Sequence, residues 1–202
     1  MAAGVEPEAA QETAPKRSAG ATRARILEAT SRLFYSQGIR ATSADRIIEE
    51  VGITKVTFYR HFRTKSDLVV AYLDQQASAE REWFERVRRA GDAVTSLHAI
   101  AAGIGTVSCS PGFRGCAFIN AAAEFADPHD PVRAAVDHHR RWMLEEFAGI
   151  SEDAGVRDAQ EAARQLMILR DGAMVNGYLG AAESVTASLE AAFDSVLAAS
   201  RT

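Results

Sequence analysis

At 202 residues the chain has room for one large domain or two small ones, and a composition 47% hydrophobic and 25% charged excludes a wholly disordered polymer. No apolar run resembles a signal-peptide core or is long enough to cross a bilayer, so a cytoplasmic address without a membrane partner is expected. The net charge of −4 hides an asymmetry: residues 16–70 carry eleven Lys or Arg against five Asp or Glu, while residues 71–202 are strongly acidic. A basic first third on an acidic remainder is the pattern of a DNA-binding head on a body of another purpose.

Proline is scarce, alanine is abundant, and no run alternates like a strand, so an all-α fold is expected. Residues 1–20 read as a disordered arm. The first helix is predicted from about Thr22 to just before Gly38, with Ile26, Leu27, Thr30, Leu33 and Phe34 on one face. A short helix capped by Thr42 or Ser43 follows and ends at Gly52, and a second short one covers Ile53 to Phe62. A long helix runs from about Lys65 towards Arg89. Longer helices are then predicted at about 92–108, 115–126, 131–150, 157–181 and 185–199.

Two short helices joined by a glycine-containing turn inside a basic three-helix unit have the form of a helix-turn-helix. In "GITKVTFYRHF", Phe58 and Phe62 share a face and are expected to anchor on Ile26, Leu33 and Ile47. The other face offers Lys55 or Arg60 to guanine edges, and Val56 with the Thr57 methyl to a thymine methyl. Tyr59 and His61 can reach phosphates, as can Lys65 at the start of the long helix and the Thr42 hydroxyl at the second.

The span from Ala24 to about Tyr72 closely resembles the N-terminal DNA-binding domain of the TetR/AcrR transcriptional regulators. Phe34, Gly38, Thr42, Ile47, Gly52, Thr57, Tyr59, His61, Phe62, Lys65 and Leu68 carry the resemblance. "EEVGIT" replaces a more usual Ala-rich stretch, and Val56 stands where a small residue is common. "FRGCAFINAAAEFADPHDP" is similar to a segment of some AcrR-type members. The resemblance implies a homodimer, a palindromic double-stranded operator and a C-terminal domain that senses a small-molecule effector. A three-helix head at 21–67 and a sensing and dimerising body at 68–202 are expected, acting as a repressor that its ligand releases.

In the body, His139 falls with Val132, Val136 and Met143 on an inward stripe, as a core histidine or as a polar group facing a cavity. Phe118, Asn120, Trp142, His98, Met143, Met167, Arg170 and Asn176 join it as candidate cavity residues. Gly172, Ala173, Gly177 and Gly180, with Leu189, Phe193 and Val196, suggest that the last two helices form a hairpin that pairs with its copy. A metal site among Cys116, Glu124, Asp127, His129, His138 and His139 is disfavoured, since adjacent histidines on a helix diverge by about 100°. No cofactor is expected, and Cys109 and Cys116 read as packing thiols. Control by a protein partner and an enzyme built on the helical body are the competing readings. A cavity would favour the small molecule over the protein.

Overall fold

Helix α1 (Ala14–Gln37) begins well ahead of Thr22 in a computed structural model that describes residues 14–199, with side chains from Gly20 onward. Residues 1–13 of the expected arm lie outside the described residues. Ile26, Leu33 and Phe34 of α1 are buried as the spacing predicts. Helix α2 (Ala44–Val51) starts at Ser43, whose hydroxyl accepts from the Arg46 N–H, and stops at Gly52, a left-handed residue with φ 69°. Helix α3 (Lys55–His61) is capped by Thr54, and helix α4 (Lys65–Val87) by a reciprocal box between Thr64 and Asp67. Each short helix is thus held at its start by a side-chain oxygen. The tertiary part of its stability comes from Ile47, Ile48, Phe58 and Phe62, all buried, each contributing about 1.5–3 kcal/mol.

The body comprises α5 (Ala93–Ser108), α6 (Ala117–Glu124), α7 (Pro131–Asp153), α8 (Ala159–Asn176) and α9 (Ala182–Ala199). Among the described residues there is no strand, and no helix is long and apolar enough to cross a membrane. α5 packs along α9, α7 along both α8 and α4, so the long helix α4 joins head to body. The approach of α5 to α9 is tight: a Cβ on Gly105 would lie 1.9 Å from Thr186 Oγ1. A π-helical turn over Gly177–Ala181, with Gly180 at φ 104°, bends the chain between α8 and α9.

This packing revises the expected dimer surface. Leu189, Phe193 and Val196 are buried inside the single chain, on the face of α9 that also carries Val185 and Leu197. Gly177 admits Ser108, whose Oγ would sit 2.4 Å from a Cβ there, and Gly180 makes the bend. Ala173 packs against the core, while Gly172 faces open space. Ile168 and Val175 on the other side of α8, and Leu179 in the bend that follows it, are 69%, 44% and 73% exposed. With Gly172 they follow helical spacing and form one stripe.

Candidate functional site

The head presents a reading surface on α3. Phe58 and Phe62 turn inward, 1% and 3% exposed, and the Arg23 guanidinium lies 5.1 Å over the Phe62 ring. Lys55, Val56, Tyr59 and Arg60 are exposed together, Val56 by 71%. The Tyr59 ring stands edge-on against Phe58, which fixes its direction. Lys55 pairs with Asp45 of α2 at 2.8 Å, and that hydrogen bond raises its ammonium above the ordinary value. Both partners are exposed, so a phosphate or base edge can displace the contact. The Thr57 hydroxyl lies 2.9 Å from that of Thr54, and His61 is half-buried in the last turn.

One expected contact differs. Thr42 is fully buried and its hydroxyl donates to the Gly38 carbonyl at 2.9 Å, so it closes the α1–α2 turn rather than facing a phosphate. Ser43 holds the capping position instead. Lys65 is half-buried and donates to the Arg40 carbonyl at 3.4 Å, and burial lowers its ammonium below the usual range.

The body grips that same turn from the other side. Glu124, at the end of α6, accepts from the Ile39 N–H at 3.0 Å and the Arg40 N–H at 2.6 Å. The Tyr35 hydroxyl of α1 accepts from the Arg114 N–H at 2.9 Å and donates to the Gly115 carbonyl at 3.1 Å. The Arg114 guanidinium donates to the Ser36 carbonyl, and Asn120 to the Arg114 carbonyl. The segment from Arg114 to Glu124 is therefore fastened to the end of α1 at both of its ends.

Next to this fastening is a partly open cavity of about 310 Å³. Its walls are Trp83, Ile104, Val107, Phe113, Phe118 and Met174, and Tyr35 of the head closes one side. Glu80 and Arg170 also line it. Glu80 Oε1 meets Arg170 Nη2 at 2.9 Å, and Oε2 lies 2.9 Å from His139 Nε2, off the line of a hydrogen bond. Burial pushes the Glu80 carboxyl up, but His139 and Arg170 outweigh it and hold it below the ordinary carboxylate value.

Of the nine residues expected at a cavity, Phe118 and Arg170 line this one. His139 lies behind it, stacked on Phe118 at 3.6 Å between ring centroids. Met143 and Met167 are core. His98 is on the surface, 3.0 Å from Asp194 of α9, because its helix turns that face away from the cavity. Trp142 lines a cleft with Arg81 and Arg88, and Asn176 a groove on the outer side of α8. Asn120 holds the Arg114 carbonyl in a cleft between head and body. Tyr35, Glu80 and Trp83 line the cavity beyond the expected set. Glu80 had a signal, since it falls with Leu73, Ala77 and Phe84 on the inward stripe of α4.

A family-wide sequence profile described as bacterial regulatory proteins, tetR family, matches residues 26–72. The HTH-type transcriptional regulator TtgR of Pseudomonas putida is 44% identical over 59 residues, 29% of this chain and 28% of that protein. AcrR of Shigella flexneri is 34% identical over 87 residues, 42% of this chain and 40% of its own length. These matches thus span well under half of those relatives. The crystal structure of SCO4454, a TetR-family transcriptional regulator from Streptomyces coelicolor, aligns over 91% of this chain and 97% of its own, with a TM-score of 0.85 and 40% identity.

Proposed function

The chain belongs to the TetR family of transcriptional regulators, and on that premise we propose that it is a dimeric repressor released from a palindromic operator by a small molecule bound in its body. Residues 21–67 form the DNA-binding head and residues 68–202 the sensing and dimerising body. The reading puts the protein in the cytoplasm with its DNA. It uses no catalytic group.

One observation carries the control: Tyr35 is at once a wall of the cavity and a hydrogen-bonded part of the head's first helix. Gly115, Cys116, Ala117 and Phe118 line the cavity too, so an occupant presses on both partners of the Tyr35 contact. Displacing this segment moves Glu124, and with it the Ile39–Arg40 turn that orients α2 and α3. Two recognition helices must stand about 34–36 Å apart to enter successive major grooves, so a small tilt in each head spoils the fit. The cavity favours this reading over control by a protein partner, and the stripe Ile168, Gly172, Val175 and Leu179 is our assignment for the dimer face.

On DNA, Arg60 donates to a guanine edge, Val56 meets a thymine methyl, and Tyr59 and Lys55 secure phosphates. With the operator recovered by in vitro selection, gel-shift titrations test this directly. Tyr59→Ala weakens binding to all sequences, whereas Arg60→Ala costs about 1–3 kcal/mol at the cognate site and relaxes one base position. Full affinity in the Tyr59→Ala protein would refute the assignment of α3.

A further inference from the structure

The carboxylates and guanidiniums around the cavity are already paired with one another. Glu80 pairs with Arg170 at 2.9 Å, Arg170 with Asp171 at 3.1 Å, and Asp171 with Arg140 at 2.8 Å. Two carboxylates and two guanidiniums thus form one paired chain, behind which His139 Nδ1 finds no partner. Arg170 is only 4% exposed. Burial works against its charge, and the adjacent Glu80 and Asp171 carboxylates offset that, so it remains a cation. Tyr35 already has both a donor and an acceptor. Among the lining residues, no ionic group is left to pair with an ion entering the cavity.

Resting on the reading of this cavity as the effector site, we infer that it selects an uncharged, flat, largely aromatic molecule and rejects ions of either sign. A charged ligand would be stripped of water among Trp83, Ile104, Phe113, Phe118 and Met174 with no free counter-charge, a cost that Coulomb attraction to an already paired network does not recover. The Trp83 ring sits so close to α5 that a Cβ on Gly103 would be 2.3 Å from its Cζ2 corner, and Phe118 is backed by His139. Rigid aromatic walls of this kind favour planar faces. The spare acceptor capacity of the Glu80 carboxylate suits a single hydroxyl or N–H donor on such a molecule.

The test is a set of probes sharing one ring system, titrated into the full chain. They are neutral N-phenyl-1-naphthylamine, its anionic relative 1-anilinonaphthalene-8-sulfonate, and the cation 1-naphthyltrimethylammonium. Probe emission and energy transfer from the two tryptophans read the fluorophores, and displacement of the neutral probe reads the cation. The neutral compound should bind at least about tenfold more tightly than either ion. Equal or tighter binding of an ion overturns the inference, while no binding by any of the three overturns the cavity as an effector site. Size is separated from charge by Glu80→Gln, which leaves Asp171 facing Arg170 and Arg140. The preference should then shift towards the sulfonate by at least about tenfold, and an unchanged ratio would also overturn the inference.

Discussion

Replacing Ile168 and Leu179 together with aspartate is expected to yield a folded monomer whose affinity for the full operator falls at least about a hundredfold, while binding to a half-site is unchanged. Both side chains are mostly exposed in the single chain, 69% and 73%, so the substitutions leave the intramolecular core intact. In a paired surface the same carboxylates would be buried opposite their own copies, uncompensated. Two linked heads gain operator affinity by making the second docking event intramolecular, and that gain vanishes when the subunits part. Sedimentation velocity and gel shift on full and half sites report the two effects separately. A variant that remains dimeric would move the interface away from this stripe.

The second large effect is on stability. Glu80→Ala leaves Arg170, 4% exposed, without its principal carboxylate, and removal of one partner from a buried pair costs about 3–5 kcal/mol. For a chain of this length the melting temperature should drop by roughly 10 °C. Because the folded carboxyl is held below its ordinary value of 4.5, its contribution is fully present above that pH and is lost as pH falls through the folded value. Wild type and Glu80→Ala should therefore differ most near neutrality and converge in acid. Equal thermal stability at pH 7 would mean that the network is not holding α4 against α7 and α8.

The head was legible because its signals are local. Ser43, Gly52, Phe58 and Phe62 act through spacing within one or two turns, and the described structure repeats that spacing. Thr42 differs because a hydroxyl near a helix start resembles a phosphate ligand, whereas its complete burial depends on tertiary packing and leaves the Gly38 carbonyl as its acceptor. In the body the residue types were informative but the rotational phase was not. Leu189, Phe193 and Val196 are apolar residues at helical spacing, a pattern that suits pairing with a copy equally well, yet they are buried inside the single chain, Phe193 against Phe147 of α7. Glycines along α8 suggested close approach without telling which neighbour approaches, and Gly177 admits Ser108. Tyr35 and Glu124 act across separations of about eighty residues, which no periodicity encodes.

Cavity occupancy and operator binding are expected to oppose each other, and linkage makes this measurable from both sides. The dissociation constant of N-phenyl-1-naphthylamine should be weaker on operator-bound protein than on free protein, and saturating probe should weaken operator binding by the same factor. Tyr35→Phe keeps the cavity wall but drops both hydrogen bonds, so it should shrink that factor towards one. Identical probe affinity in the presence and absence of operator would show that the cavity does not control DNA binding.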